Sequence, residues 1–325
     1  MKAYIKHIST YIPKNKITND DIARKFPEWD SDKILNKIGI AERYIADADE
    51  FVSDMAAKSI AKLIDEFGIN KDSIDFLILC TQSPDHFLPA TSCIVQEKAG
   101  LNNNCAAIDI NQGCSGYVYG LSLAKGLVIS GTANNVVLVT AETYSKHIHQ
   151  NDKGNISLFG DAATATLITD IGKYEIKEFS LGSDGKGAEN LIVKNGAVKI
   201  KNNNDQENLD NFLYMNGPEI FDFTSKSIPP LVERNLKQNQ LTKGDIDTFI
   251  FHQANTYMLN FLRRKIGIPT KNFVIDMLDY GNTVSSTIPL ALKNCDLKGR
   301  EMHKIMLVGF GVGYSWGAVC LKKHI

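Results

Sequence analysis

Residues 109–124 read Asp-Ile-Asn-Gln-Gly-Cys-Ser-Gly-Tyr-Val-Tyr-Gly-Leu-Ser-Leu-Ala. The apolar run that enters this stretch from Ala106 predicts a strand, and the apolar residues after Gly116 recur at helical spacing. Cys114 therefore falls on a strand-to-helix turn, where free backbone N–H groups and the helix dipole favour a thiolate. Free cysteine is also among the most buried residue types, so a structural cysteine fits this stretch equally well.

Length and composition indicate a large, water-soluble enzyme. A chain of 325 residues exceeds the size at which one core usually stops growing, so two domains or two halves of one fold are expected. Hydrophobic residues make up 43% and charged residues 22%, and the formal net charge of -1 provides no global field for nucleic acid. The apolar stretches are shorter than the roughly 18 residues of a membrane-spanning helix. The first residues also lack the apolar segment of a signal peptide.

The six cysteines give no sign of a metal site or a redox pair. No two of them form a Cys-x-x-Cys pair, and none has metal-ligand spacing to a histidine. We therefore expect a reduced, cytoplasmic protein without a metal.

Strand and helix patterns alternate along the chain, which predicts an α/β layered fold with a largely parallel sheet. Residues 74–81 and 134–142 contain continuous apolar runs of the kind found in buried strands. Residues 52–67 form an amphipathic helical pattern. Residues 182–211, rich in Gly, Lys and Asn, predict a surface excursion with at most one edge hairpin.

Three segments of the chain recur in the same order at nearly one offset. The segment at Ile74 recurs at Ile246, 172 residues later, and Gly113-Cys-Ser recurs as Gly281-Asn-Thr, 168 residues later. The segment at Leu138 recurs 169 residues later, at residue 307. The repeat predicts two similar halves, residues 1–172 and 173–325, related by a pseudo-twofold axis.

This symmetry would bring three chemically useful side chains to one crevice. Cys114 and Asn282 occupy equivalent turns, and His252 follows a strand equivalent to the one that ends near Cys80. Ligands of parallel sheets bind beyond the carboxyl ends of the strands. Alone, a histidine at a strand end or an asparagine in a Gly-Asn turn is more often structural. Together with a cysteine they suit acyl transfer, which needs a thiolate and donors aimed at a developing oxyanion.

The segment Gly309-Phe-Gly-Val-Gly-Tyr-Ser-Trp-Gly is the densest glycine cluster in the chain. It has two readings, a source of a backbone N–H group for an oxyanion hole or a tight hairpin at the sheet edge. No helix pattern follows it, so it is not a dinucleotide-binding motif.

Four ordered motifs carry a family resemblance that covers essentially the whole chain: Asn111-Gln-Gly-Cys-Ser-Gly, His252-Gln-Ala-Asn, Gly281-Asn-Thr and the glycine-rich segment. Lys37-Ile-Gly-Ile-Ala-Glu-Arg and Phe159-Gly-Asp-Ala-Ala add to it. The chain resembles the 3-oxoacyl-[acyl-carrier-protein] synthase III family of the thiolase superfamily. The resemblance implies a homodimer of five-layered αβαβα subunits, each made of two similar halves, with a Cys-His-Asn triad.

The resemblance also implies a reaction. Cys114 would take an acyl group from acyl-CoA, most simply acetyl, while the backbone N–H groups of Cys114 and Val312 stabilise the oxyanion. His252 and Asn282 would then hold the thioester oxygen of malonyl-acyl carrier protein. Decarboxylation gives an enolate that attacks the acyl-enzyme, and the 3-oxoacyl product initiates fatty acid synthesis. The resemblance implies that coenzyme A and phosphopantetheine thioesters are substrates and that no cofactor is permanently bound.

The coenzyme A segment departs from the family pattern. Residues 33–41 lack the tryptophan found in well-studied relatives, and Lys37 and Lys153 stand where arginines are usual. Lysine binds phosphate as a point charge and lacks the planar fork of arginine. These two lysines are the coenzyme A residues that the resemblance implies.

Other functional surfaces follow from the resemblance. Tyr257 stands where an arginine often contacts the carrier protein. The basic run on the same predicted helix could dock an acidic carrier or be an ordinary solvated helix face; it comprises Arg263, Arg264 and Lys265. Leu88 would line the acyl pocket of the partner subunit, from a loop that crosses the dimer, and Phe310 would line the acyl pocket as well.

Rival functions remain open on the sequence alone. They are a specialised relative in secondary metabolite or surface-polysaccharide assembly, acyl transfer or thioester hydrolysis without carbon–carbon bond formation, and a catalytically silent partner subunit. A thiol redox sensor is a further reading, although no resolving cysteine lies close to Cys114 in sequence.

Overall fold

The structure is a computed structural model that describes residues 1–199 and 208–324. The strands of this part are β1 (Tyr4–Tyr11), β2 (Asn15–Thr18), β3 (Glu42–Ile45), β4 (Phe76–Cys80), β5 (Ala106–Ile110), β6 (Val136–Glu142), β7 (Ala162–Thr169), β8 (Tyr174–Ser183), β9 (Leu191–Val193), β10 (Leu213–Met215), β11 (Thr248–Phe251), β12 (Lys304–Gly311) and β13 (Ser315–Lys323). The α-helices are α1 (Asn19–Lys25), α2 (Ser31–Ile38), α3 (Val52–Phe67), α4 (Thr91–Lys98), α5 (Gly116–Ile129), α6 (Lys153–Leu158), α7 (Gly217–Gln238), α8 (Thr256–Ile266) and α9 (Thr287–Leu297).

The strands of the two halves follow one topology, in agreement with the sequence repeat. The order is β1-β7-β6-β4-β5 in the first half and β8-β13-β12-β11 in the second. Beyond β11, Phe273 forms a parallel bridge with Phe249 of β11. This residue occupies the position in the second half that β5 occupies in the first. Pairing of Tyr4 and Ile5 with β8 joins the described strands into one nine-stranded sheet. The predicted division between residues 172 and 173 falls between β7 and β8 and stays a prediction.

The sheet is mixed, so the prediction of a largely parallel sheet is wrong. β4 runs parallel to β5 and β6, and β11 runs parallel to β12. The other pairs of this sheet are antiparallel. Only residues 312–314 connect β12 to β13, and a connection this short cannot make the crossover that parallel strands need.

The layers follow from apolar side chains on both faces of the central strands. Leu77 and Leu79 of β4 pack with α3 on one face, and Ile78 packs with α5 on the other. α5 and α9 share one core with strands of both halves and form the middle layer. α3 and α4 cover the outer face of the first half, and α7 and α8 cover that of the second. The five-layered αβαβα fold is therefore confirmed.

The predicted surface excursion lies mostly outside the main sheet. β9 pairs with β10 in a small antiparallel hairpin, and residues 200–207 of the excursion lie outside the described residues. Within the described ranges, no helix combines the length and the apolar character that a bilayer crossing requires.

Candidate active site

Cys114 lies in the turn between β5 and α5, as predicted, and its side chain is buried. The glycines that bracket it allow close packing against this turn. A Cβ at Gly113 would lie 2.6 Å from Val312 Cγ1, and one at Gly116 would overlap with Cys80 Sγ. Because neither position has room for a Cβ, the turn depends on both glycines.

The glycine-rich segment forms the connection between β12 and β13 and packs directly on Cys114. A Cβ at Gly311 would lie 2.8 Å from Cys114 Cβ, and one at Gly309 would lie 2.8 Å from Ser115 Cα. The segment is a hairpin, but β12 and β13 lie inside the sheet and not at its edge. Val312, in the same segment, packs its side chain against the buried cluster that contains the cysteine.

Two backbone donors beside the cysteine are uncommitted. In the described part of the chain, the N–H groups of Cys114 and Val312 donate to no backbone carbonyl. Free N–H groups next to a nucleophile are the arrangement that stabilises the oxyanion of a tetrahedral intermediate.

His252 follows β11 directly, and its N–H donates to the Val308 carbonyl of β12 at 2.8 Å. The imidazole is buried, and its ring centroid lies 5.5 Å from that of Phe310 in a T-shaped contact. Nδ1 lies 2.8 Å from Thr287 Oγ1, which lies 3.0 Å from the Val284 carbonyl oxygen. The Thr287 hydroxyl therefore fixes the orientation of the imidazole. Sequence reasoning did not single out Thr287.

Asn282 is held opposite His252 by backbone atoms of the first half. Its N–H donates to the Leu158 carbonyl at 2.9 Å, and the Gly160 N–H donates to the Asn282 carbonyl at 3.1 Å. The Val284 N–H donates to Asn282 Oδ1 at 2.9 Å, which turns Nδ2 toward His252 Nε2 at 3.5 Å. The side-chain amide thus presents its N–H group, and not its oxygen, to the imidazole.

Four of the predicted site residues meet at one small cavity of about 100 Å³, here called the reaction cavity. They are Cys114, His252, Asn282 and Phe310. The other lining residues are mostly apolar: Leu158, Phe159, Leu191, Met215, Gly217, Ile220, Ala254, Asn255, Met258 and Gly311. Among the described residues, no group of three or more His, Cys, Asp or Glu side chains is placed to hold a metal ion.

Burial controls the charge state of this site. Burial, with a smaller effect of Glu142, raises the pKa of Cys114 to about 12. This direction is opposite to the thiolate that the helix N-terminus predicts, because an enclosed apolar cavity disfavours the charged form more than the helix dipole favours it. Burial also lowers the pKa of His252 to about 3. At neutral pH the resting site therefore holds a neutral thiol and a neutral imidazole.

Glu142, which the sequence analysis did not single out, ends β6 and is buried. Its carboxylate accepts hydrogen bonds from Gln82 N–H at 3.1 and 3.2 Å, Ser83 Oγ at 2.9 Å and Ser285 Oγ at 3.2 Å. It therefore ties the loop of residues 81–90 to the segment after Asn282. Burial raises the pKa of Glu142 to about 8. In the sequence, the feature that could have indicated Glu142 is its charge at the end of a continuously apolar strand.

A wider pocket of about 910 Å³ adjoins the reaction cavity and shares Leu158, Met215 and Asn255 with it. The wider pocket is also lined by Trp29, just before α2, and by Lys37 of α2. Tyr257 and Arg264 of α8 line it as well. The wider pocket is large enough for an extended arm of a substrate.

Trp29 corrects one conclusion from the sequence. Residues 33–41 contain no tryptophan, but the chain before α2 places Trp29 at the wider pocket. Lys153 Nζ lies 5.6 Å from the Trp29 ring centroid and 2.9 Å from Glu28 Oε1. Lys153 lies in an adjoining recess of about 610 Å³, which Lys37 also lines. The two predicted lysines therefore lie on one surface.

The predicted docking residues of α8 differ in their exposure and contacts. Arg263 is half-buried and donates to the Ile268 carbonyl at 3.3 Å. Arg264 is exposed and lines the wider pocket, whereas Lys265 donates to the Ser225 carbonyl at 2.9 Å. Of the three, only Arg264 lines the wider pocket.

Leu88 does not line the reaction cavity of its own chain. It is 83% exposed, in the loop that follows β4. Its place in the acyl pocket of a partner subunit stays a prediction.

Comparison with known proteins identifies the family. Residues 108–185 match the family model described as 3-Oxoacyl-[acyl-carrier-protein (ACP)] synthase III, and residues 236–323 match the model of its C-terminal part. A Clostridium perfringens protein named beta-ketoacyl-[acyl-carrier-protein] synthase III is 36% identical over 315 residues, 96% of each chain. A solved 3-oxoacyl-(acyl-carrier-protein) synthase III matches with a TM-score of 0.95 at 42% identity, over 100% of both chains. The 3-oxoacyl-(acyl-carrier protein) synthase of Burkholderia xenovorans matches with a TM-score of 0.92 at 37% identity, over 99% of this chain and 94% of that one.

A five-layered αβαβα fold with a cysteine, a histidine and an asparagine at one cavity defines a thiolase-like acyltransferase. Within that class the chain belongs to the 3-oxoacyl-[acyl-carrier-protein] synthase III family, the condensing enzymes that initiate fatty acid synthesis. The resemblance found in the sequence is confirmed.

Proposed function

We propose that Cys114 takes an acetyl group from acetyl-CoA and that His252 and Asn282 then support decarboxylative condensation with malonyl-acyl carrier protein. The product is a 3-oxoacyl-acyl carrier protein. The observation that carries this proposal is one reaction cavity lined by a thiol, an imidazole and an amide, with a wider pocket beside it. The two thioesters are substrates, and the reaction needs no resident cofactor.

In the first half-reaction, the Cys114 sulfur attacks the thioester carbonyl carbon. A new C–S bond forms, the C–S bond to coenzyme A breaks, and the thiol proton leaves with the coenzyme A sulfur. The carbonyl oxygen gains charge as this happens. The free N–H groups of Cys114 and Val312 are the donors for that oxygen.

The second half-reaction needs two neutral donors. In the resting site the Thr287 hydroxyl donates to the Val284 carbonyl at 3.0 Å. When it rotates to donate to Nδ1, the imidazole proton is on Nε2, and Nε2–H and Asn282 Nδ2–H both turn to the malonyl thioester oxygen. Loss of CO₂ gives an enolate, whose carbon attacks the carbonyl carbon of acetyl-Cys114. A C–C bond forms, the C–S bond to Cys114 breaks, and the released thiolate takes a proton from solvent to restore the thiol. Because the lowered pKa keeps His252 neutral, the imidazole stabilises the enolate without protonating it early.

The wider pocket suits the pantetheine arm and the nucleotide of coenzyme A. Lys37 and Arg264 supply positive charge at its wall, and Trp29 supplies an aromatic face. Lys153 pairs with Glu28 at the surface, where a phosphate would compete for the ammonium group. A carrier protein would approach the same opening, beside the exposed Arg264 and Lys265 of α8.

The free edge of the sheet supports a homodimer, which is part of this proposal. β5 is the last strand, and its outer edge has no partner among the described strands. Ile108 of β5 is 40% exposed, and the adjacent loop exposes Phe87 and Leu88. An unpaired sheet edge flanked by apolar side chains favours pairing with a second chain. Pairing through β5 would carry Leu88 toward the acyl pocket of the partner subunit.

The cytoplasm is the proposed location. All six cysteines of the described residues are free thiols, which fits a reducing compartment.

One assay tests the proposed function. The protein is incubated with labelled acetyl-CoA and malonyl-acyl carrier protein, and Cys114 acetylation and the 3-oxoacyl product are followed by mass spectrometry. We expect both. Acetylation without condensation would support simple acyl transfer, and failure to acylate with a panel of donors would support a silent or redox role.

A further inference from the structure

The backbone of Val284 has an unusual conformation next to the reaction cavity. Its φ is +53°, a region that glycine adopts freely and that residues branched at Cβ rarely adopt. Val284 is buried and belongs to the same apolar cluster as Cys114. A residue keeps such a conformation only where the surrounding structure compensates for the strain, and strain of this kind is concentrated at functional sites.

The two polar groups of the Val284 backbone hold the side chains that serve condensation. The Val284 N–H donates to Asn282 Oδ1 at 2.9 Å, and the Val284 carbonyl accepts from Thr287 Oγ1 at 3.0 Å. Thr287 Oγ1 lies in turn 2.8 Å from His252 Nδ1. Rotation to an ordinary negative φ would change the angle between the N–H and the carbonyl of Val284, so that one residue could no longer make both contacts.

Two serine hydroxyls after Val284 anchor this conformation to β6. Ser285 Oγ donates to Glu142 Oε1 at 3.2 Å, and Ser286 Oγ lies 2.9 Å from Thr140 Oγ1. Both serines are fully buried. Thr140 and Glu142 are two residues apart on β6, so their side chains point to the same face of the sheet. The segment after Val284 is therefore fixed at two successive residues.

Ser285 acts at a distance from the reacting atoms. It is not among the residues that line the reaction cavity, and its hydroxyl donates to Glu142. The same carboxyl group accepts from Ser83 Oγ at 2.9 Å, on the loop after β4. Glu142 thus binds two serine hydroxyls, and of these two only Ser285 adjoins Val284. Ser83 therefore provides a matched comparison.

We propose that Ser285 is a positioning residue for the condensation step. Its hydrogen bond to Glu142 holds Val284 at positive φ, the conformation that orients Asn282 and, through a threonine hydroxyl, the imidazole. Acyl transfer to Cys114 uses backbone N–H donors and does not depend on this conformation. The inference rests on the proposed division of the reaction into acyl transfer and condensation.

The first experiment measures the two half-reactions separately in Ser285→Ala. We expect condensation of the acetyl-enzyme with malonyl-acyl carrier protein to slow by about tenfold, the effect of one lost hydrogen bond to a buried carboxyl group. Acetyl loading should stay close to wild type. Ser83→Ala removes the matched hydroxyl and should leave both half-reactions close to wild type. Ser285→Cys, which keeps most of the side-chain volume, should give a smaller loss and serves if the alanine variant does not fold.

The second experiment tests whether the hydroxyl acts through the backbone of Val284. Glycine adopts a positive φ without strain, so Val284→Gly removes the need for an anchor. Adding Ser285→Ala to Val284→Gly should therefore slow condensation by less than about threefold relative to Val284→Gly alone. Because both proteins of this comparison lack the isopropyl group, the effect of losing that group cancels.

Three results would overturn the inference: the same loss from Ser285→Ala in both backgrounds, an equal loss in Ser83→Ala, or equal losses of acetyl loading and condensation in Ser285→Ala. Unchanged condensation in Ser285→Ala overturns it as well. Failure of the wild-type protein to condense acetyl and malonyl groups contradicts the proposed function instead.

Discussion

The Nδ1 atom of His252 lies 2.8 Å from the hydroxyl oxygen of Thr287, the first residue of α9. α9 belongs to the middle layer of the fold, so the imidazole is oriented by a helix that packs between strands of the two halves. The hydroxyl also lies 3.0 Å from the Val284 carbonyl. A threonine that no motif includes is therefore the hydrogen-bond partner of His252 Nδ1.

Replacing Thr287 by valine removes the hydroxyl and keeps the shape of the side chain. We expect condensation to slow by about tenfold, the effect of one lost hydrogen bond, while acetyl loading of Cys114 stays close to wild type. Single-turnover assays of the two half-reactions measure this. Thr287→Ser retains the hydroxyl and should retain condensation. Equal losses in the valine and serine variants would contradict the role of the hydroxyl.

Cys114→Ala and His252→Ala separate the two half-reactions. Cys114→Ala should abolish acylation because, among the described residues, it removes the only thiol that lines the reaction cavity. His252→Ala should spare acylation and slow decarboxylative condensation by at least about 100-fold. Mass spectrometry of the acyl-enzyme and release of labelled CO₂ give the two rates. Equal loss of both steps in a folded His252→Ala protein would rule out this division of roles.

The reactivity of Cys114 should depend steeply on pH. Because burial raises its pKa to about 12, the thiolate fraction keeps rising from pH 7 to pH 9.5, by about tenfold per pH unit except around pH 8, where ionisation of Glu142 makes the rise smaller. Alkylation of the Cys114 peptide by iodoacetamide should therefore increase without a plateau. A plateau near neutral pH would show that the helix N-terminus outweighs burial.

Glu142→Gln provides the control for this pH dependence. The pKa of Glu142 is about 8, so its carboxyl group is largely protonated at pH 7 and ionised at pH 9.5. Once Glu142 is ionised, its negative charge opposes ionisation of Cys114. The variant should therefore alkylate faster than wild type at pH 9.5 and at a similar rate at pH 7. Glu28→Gln, a change at the surface, should match wild type at both values.

Trp29→Ala should weaken the use of acetyl-CoA but not of a short acetyl thioester. Loss of the aromatic face should raise the KM for acetyl-CoA by about three- to tenfold with little change in kcat. Acetyl-N-acetylcysteamine lacks the nucleotide and should load Cys114 equally well in both proteins. Trp29→Phe should lie between them. An equal loss of Cys114 loading with both donors would show that Trp29 maintains the fold of the pocket and does not bind the nucleotide.

Much of the fold was predictable because burial on both faces leaves a direct trace in the sequence. The continuous apolar run of β4 follows from cores on its two sides, and the offset between Ile74 and Ile246 follows from two halves with one topology. Strand direction was not predictable in the same way. An apolar run has the same pattern in either direction, and only the short connection from β12 to β13 requires antiparallel pairing.

The motif that begins at His252 also shows what the sequence could and could not predict. Its place among the ordered motifs indicated a functional histidine, but two neighbouring residues have structural roles. Gln253 Oε1 accepts from the Asp276 N–H at 2.7 Å, and Asn255 Oδ1 caps α8 by accepting from the Met258 N–H at 2.8 Å. Motif residues can be listed from sequence, whereas their roles depend on what they contact.

The sequence by itself determined the layered fold, its two similar halves, and Cys114, His252 and Asn282 as the residues that meet in one cavity. Periodic burial and local turn chemistry are encoded by neighbouring residues, so a single chain displays them. Tertiary structure decided the neutral resting state of Cys114, the hydroxyl behind His252 and the carboxyl group of Glu142 that joins two loops of the site. Each of these depends on desolvation or contact between segments far apart in the chain, and no local pattern records it.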